Sequence, residues 1–166
     1  NNSTIAYALT EYNGVFKTTD AGNSWFDVSS GLPVEKKVHF GDWYGNQLTI
    51  DPLNSSILYT NFNGKPFRTL NGAKNWTEIN KGIDVCTGNY QVAGVLIDPQ
   101  DHNHIFAAHT AEVCSGGIFE SFDKGDNWTQ IAGVGLGSGS MDNDAWTIAI
   151  DPNNSSRMYS SPAYYG

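Results

Sequence analysis

Apolar and polar positions along the chain alternate in short runs, never at a helical period. Val95-Leu96-Ile97 is a continuous apolar run, the pattern of a strand buried on both faces. Ile57 to Thr60 and Ile105 to Thr110 read as further strands. So do Gly14 to Thr18, Pro66 to Thr69 and Gly117 to Ser121. Trp76-Thr77-Glu78-Ile79 and Trp128-Thr129-Gln130-Ile131 alternate, as a half-exposed outer strand does. The same order of four strands returns along the chain, so internal repetition governs the fold.

Two signatures mark the period. Thr18-Thr19-Asp20-Ala21-Gly22-Asn23-Ser24-Trp25 returns as Thr69-Leu70-Asn71-Gly72-Ala73-Lys74-Asn75-Trp76, and again as Ser121-Phe122-Asp123-Lys124-Gly125-Asp126-Asn127-Trp128. The tryptophans are 51 and 52 residues apart. Ile50-Asp51-Pro52, Ile97-Asp98-Pro99 and Ile150-Asp151-Pro152 fall between them. A proline there cannot continue a ladder and marks the exit into a turn. Four short strands repeated at this period predict an all-β fold, a β-propeller of four-stranded antiparallel blades. The repeats divide the chain at about 1–47, 48–94 and 95–147, with a partial fourth from 148–166. Propellers have four to eight blades. About three are present here, so the reading is an incomplete propeller, completed by the rest of a larger chain or by neighbouring protomers.

The eight-residue motif resembles the Asp-box, or bacterial neuraminidase repeat. Asp20, Gly22 and Trp25 fit it, as do Asp123, Gly125 and Trp128; the middle copy has Asn71 and Ala73 before Trp76. Chemically it is a self-sufficient hairpin. The carboxylate accepts N–H groups of its own turn, glycine supplies a conformation that a Cβ strains, and tryptophan covers the sheet edge. These residues are structural, and Ala73 implies strain or a different backbone angle. The resemblance extends to sialidases, xyloglucanase-type glycoside hydrolases, sortilin-like receptors and photosystem assembly factors. Asp42-Trp43-Tyr44-Gly45-Asn46-Gln47-Leu48-Thr49-Ile50-Asp51-Pro52 looks most like the xyloglucanase-type propellers. A sialidase needs a cluster of arginines, and only Arg68 and Arg157 are present.

Charge and composition narrow the function. The chain has 166 residues and a net charge of −8, which argues against a nucleic-acid partner. No apolar run has the length of a membrane span. In a meander, the connections after strands two and four share one end of the blades, and these include the long segments Ser29 to Asn46, Gly82 to Tyr90 and Gly133 to Asp144. Long connections on a rigid scaffold carry function. Asp42 facing Asp142 or Asp144 is the candidate catalytic pair for a glycosidase. Trp43, Tyr44, Phe62, Tyr90, Glu112 and Trp146 are candidates for stacking on sugar rings and for bonding their hydroxyls. The competing reading makes these acids loop caps and these aromatics packing residues. Cys86 and Cys114 fall at the same end and are expected to form a disulfide, which implies an oxidising, extracellular compartment. Asn-x-Ser/Thr triplets begin at Asn1, Asn2, Asn54, Asn75, Asn127, Asn153 and Asn154, in turns of the opposite end. No cofactor or metal set is evident; His102-Asn103-His104 reads as an exposed polar turn.

These features point to an extracellular module of a secreted or surface glycoprotein that binds carbohydrate or protein, with assembly as a further role. A xyloglucanase-like hydrolase of β-glucan-type polysaccharide is the alternative, and a sortilin-like receptor segment the second.

Overall fold

The computed structural model describes residues 4–10, 13–34, 47–83, 90–111, 116–131 and 145–162. Within them lie thirteen strands and no helix. The first sheet contains β1 (Ala6–Thr10), β2 (Gly14–Thr18) and β3 (Phe26–Asp27). The second is β4 (Leu48–Ile50), β5 (Leu58–Phe62), β6 (Lys65–Thr69) and β7 (Thr77–Glu78). The third is β8 (Tyr90–Ile97), β9 (Ile105–Ala111), β10 (Gly117–Ser121) and β11 (Thr129–Gln130). The fourth pairs β12 (Ala145–Asp151) with β13 (Asn154–Pro162). Every sheet is an antiparallel meander in chain order.

The registers align the repeats. Ala6 faces Thr18, Leu58 faces Thr69 and Ile105 faces Ser121 across equivalent strands. Tyr7, Tyr59 and Phe106 are therefore equivalent, as are their cross-strand partners Lys17, Arg68 and Glu120. The outer strands are shorter than the alternation predicts. Only two residues pair in each; before β7 and β11 the tryptophan that opens the segment leaves the ladder to pack on the preceding sheet.

That packing distributes the core between sheets. Val15, Leu32, Leu58, Phe62, Phe67 and Trp76 fill the first joint. Ile57, Tyr59, Ile79, Val92, Ile105, Phe119 and Trp128 fill the second, and Phe106, Ala108, Ile118 and Ile148 the third. Alternate residues of β5 face opposite joints, as the two-residue period of a strand requires. Each fully buried side chain of this kind contributes about 1.5–3 kcal/mol, so the joints hold most of the folding energy.

A repeated clasp fixes the first two joints. Trp76 Nε1 donates to the Val28 carbonyl at 2.9 Å, and Trp128 Nε1 to the Ile79 carbonyl at 2.6 Å. The backbone N–H groups of the same tryptophans donate to Ser30 and Lys81. Gly31 and Gly82 have φ of 94° and 98°, and a Cβ at either would collide with the carbonyl oxygen of Trp76 or Trp128. Trp76 and Trp128 are 4% and 5% exposed, whereas Trp25, with no preceding sheet among the described residues, is 43% exposed.

Candidate functional site

Strand direction assigns the connections to two ends. One end carries the repeated turns and the Ile-Asp-Pro turns. The other carries the tight turn Asn63–Gly64 and the described flanks of segments 35–46, 84–89 and 132–144.

At the first end, the carboxylate or amide organises each repeated turn. Asp20 accepts the Ser24 hydroxyl at 2.5 Å and the Ser24 N–H at 2.9 Å, while Thr18 donates to it at 2.8 Å. These bonds, led by the Ser24 hydroxyl, hold its carboxyl at about 2. Asp123 accepts the Asn127 side-chain amide, the Ser121 hydroxyl and the Asn127 N–H, and is likewise held at about 2. Asn71 keeps the backbone part of the set without a charge, accepting the Thr69 hydroxyl and the Lys74 and Asn75 N–H groups, but it reverses the side-chain bond by donating its amide to Asn75 Oδ1. The turn needs two successive left-handed residues: Ala21 and Gly22 (φ 59° and 92°), Gly72 and Ala73 (71° and 65°), and Lys124 and Gly125 (61° and 99°). Ala73 thus carries the strain expected of it. With both acids consumed by their own turns, this end has no free acid–base pair among these aspartates.

The Ile-Asp-Pro turns differ from expectation at the histidines. His102 and His104 are half-buried, not exposed. His102 Nδ1 lies 2.6 Å from Asp51 Oδ1 of the neighbouring sheet. His104 Nδ1 lies 3.0 Å from Asp98 Oδ2, and its Nε2 3.3 Å from Glu120 Oε2. Burial pushes the Asp98 carboxyl up, but the Gln100 N–H and His104 outweigh it and lower it. No three His, Cys, Asp or Glu side chains among the described residues are grouped to hold a metal.

At the second end, Asn61 is buried and accepts the Gln47 N–H through its side chain at 2.5 Å. Thr60 donates to the Gln47 carbonyl at 2.9 Å. These bonds fix the residue that closes segment 35–46. The Gln47 carboxamide occupies the space a Cβ would take on Gly94. Beside it is a cleft of about 170 Å³ between the first strands of the second, third and fourth sheets, lined by Gln47, Gly94, Leu96, Thr147 and Ile148 among others.

Phe62 requires correction. It is 2% exposed and packs with Leu58 and Phe67 in the first joint, so its ring is not a platform for sugar. The last residue of β5 keeps the strand's inward alternation instead of turning out at the loop. Asp42, Trp43, Tyr44, Glu112, Asp142, Asp144, Asn2, Cys86 and Cys114 lie outside the described residues, as do the side chains of Tyr90 and Trp146. Asn54, Asn75, Asn127, Asn153 and Asn154 are exposed. Asn75 and Asn127 have their amides engaged by Asn71 and Asp123. The features that sequence reading missed are the tryptophan clasp and the strand-three cations. A glycine six residues after Trp25 and Trp76, followed by Leu32 or Ile83, was the available signal for the clasp.

Repeated four-stranded meanders whose joints are the core define a β-propeller, here an incomplete one. Comparison with known proteins agrees. The chain is 26% identical over 121 residues to a xyloglucanase of Hypocrea jecorina, covering 65% of this chain. It is 23% identical over 128 residues to a probable oligoxyloglucan-reducing end-specific xyloglucanase of Neosartorya fischeri, covering 76%. The chain spans only 14% and 15% of the length of these relatives. An ancestral GH74 enzyme superposes with a TM-score of 0.71 at 21% identity, over 96% of this chain and 20% of that one. The Niastella koreensis GH74 enzyme superposes at 0.66 and 18% identity, over 95% and 23%. No protein-family model matches the chain. Among the described residues no helix is long and apolar enough to cross a membrane.

Proposed function

We propose that these blades are part of a secreted, xyloglucanase-like β-propeller protein that acts on a β-glucan-type polysaccharide. The sequence likeness to the Hypocrea jecorina xyloglucanase carries the reading. It favours the hydrolase over the non-enzymatic module and over the sortilin-like receptor. The repeated turns follow the Asp-box pattern, and their aspartates are structural. The chemistry belongs to the opposite end, which carries the long connections. Asp42 with Asp142 or Asp144 is the acid pair. One member protonates the leaving oxygen, and the other serves as nucleophile or activates water. Trp43, Tyr44, Tyr90 and Trp146 offer faces to sugar rings, and Glu112 accepts hydroxyl bonds.

The test is reducing-sugar release from xyloglucan by the full-length protein that carries these blades. Asp42→Asn or Asp144→Asn is expected to lower kcat by about 10²–10⁴-fold with the fold intact. Turnover indifferent to all three acids removes the pair. Binding without any turnover restores the non-enzymatic module. The secreted reading also carries a Cys86–Cys114 bond and glycans at Asn54, Asn153 or Asn154, where the amides are exposed. The intact mass of the secreted protein, before and after reduction and deglycosylation, checks both.

A further inference from the structure

Lys17, Arg68 and Glu120 hold equivalent positions on β2, β6 and β10, the third strand of each repeat, and the chemistry at that position changes along the chain. Lys17 Nζ donates to the Gly72 carbonyl at 3.3 Å, and Arg68 Nη1 to the Lys124 carbonyl at 2.8 Å. Gly72 and Lys124 hold the same place in their turns, directly after Asn71 and Asp123. In both joints a cation in strand three donates to the turn of the following blade.

Glu120 stands at the equivalent position of β10. It accepts where the other two donate. Its neighbour His104 sits with Nδ1 at 3.0 Å from Asp98 and Nε2 at 3.3 Å from Glu120. Both ring nitrogens of His104 thus face carboxylates of its own blade, and Glu120 keeps lone pairs for a donor from outside it.

We infer that this corner of the third blade seats a repeated turn of a following blade that brings its own cation. A Lys or Arg side chain of that turn donates to Glu120, reversing the polarity of the first two joints. Continuity with those joints says where the turn sits, and the reversed charge says what it carries. The reversal also gives the joint an identity: the turn that receives Lys17 offers a carbonyl, and the turn that receives Arg68 offers a carbonyl and the Asp126 carboxylate at 2.8 Å, all acceptors that Glu120 repels.

The experiment uses the full-length protein. The first repeated turn after these blades is expected to contain Lys or Arg. Replacing that residue with Gln, and Glu120→Gln, should each lower Tm. The two together should lower it no further than the worse single change, because they remove one interaction. Exchanging the two charges, Glu120→Lys with the cation changed to Glu, should recover part of the loss, which a general folding defect does not do. Additive losses, or a Glu120→Lys single variant with raised Tm, overturn the proposal. So does a following turn without a cation.

Discussion

Asp20 and Asp123 show how one residue can be spent entirely on local geometry. Each carboxylate gathers hydroxyl and N–H donors of its own turn, Asp123 a side-chain amide as well, and each is held at about 2, against an ordinary 3.8. A depressed carboxyl contributes stability above its unfolded value and loses it as pH falls through the folded one. The turns are therefore expected to hold at pH 5 and to weaken between about pH 4 and 2. Carboxyl carbon NMR should show midpoints near 2 for both; midpoints near 3.8 would mean the bonds do not persist in solution. Asp123→Asn should keep the turn at neutral pH and remove its share of the acid limb, since Asn71 already holds the equivalent turn by accepting hydroxyl and N–H donors and donating its own amide to Asn75. The motif was legible in the sequence because its spacing recurs three times. The left-handed pair inside it was legible only at glycine: Ala21 and Lys124 have φ of 59° and 61° with nothing in their identity to say so.

At the scale of the element, the outer strand and its tryptophan are one unit. Alternation at Trp76 to Ile79 gave the strand, but not that Trp76 bonds a carbonyl in the preceding sheet. Such a contact joins residues 48 apart and leaves no local pattern. Trp76→Phe keeps most of the apolar burial and leaves the Val28 carbonyl unpaired, at a cost of about 1–3 kcal/mol. Trp25→Phe, at an exposed site with no such acceptor among the described residues, should cost much less. Gly82→Ala should exceed both, because its Cβ meets the Trp128 carbonyl as well as the left-handed φ of 98°. Gly22→Ala has the φ penalty alone, about 1–2 kcal/mol, with nothing within 4 Å of the new methyl. Urea unfolding of the four variants gives the ranking. Equal costs for Trp25→Phe and Trp76→Phe would contradict the clasp. Ala73 sits between these cases: glycine there relieves about 1–2 kcal/mol of left-handed strain but removes a fully buried methyl worth about 0.8 kcal/mol before any cavity cost, so Ala73→Gly should be close to neutral.

Across the whole molecule, the core is a series of joints and not a centre. The middle strands β5, β9 and β10 are buried from both sides, while β3, β7 and β11 have two residues each, all exposed. Amide exchange should follow that order, slowest in β5, β9 and β10 and fastest in β3, β7 and β11. Uniform protection would mean that the sheets open together and that the joints are not the unit of stability. Repetition made this architecture readable, since each copy corroborated the others. The functional end was less readable. Its acids and aromatics occur once each, in connections with no internal copy to compare. Phe62 illustrates the hazard, since being next to a turn did not bring it to the surface.

The clasp has one more consequence. Trp76 and Trp128 address main-chain oxygens of the blade before them, and Lys17 and Arg68 address main-chain oxygens of the blade after. A carbonyl is offered by every amino acid. These main-chain contacts let a blade be copied in tandem and accepted by its neighbours at once, and side-chain pairs such as Arg68–Asp126 can be matched afterwards. Gene duplication can lengthen such a ring, and substitution can then rewrite most of each copy, as long as the tryptophan and the glycine that receives it are kept.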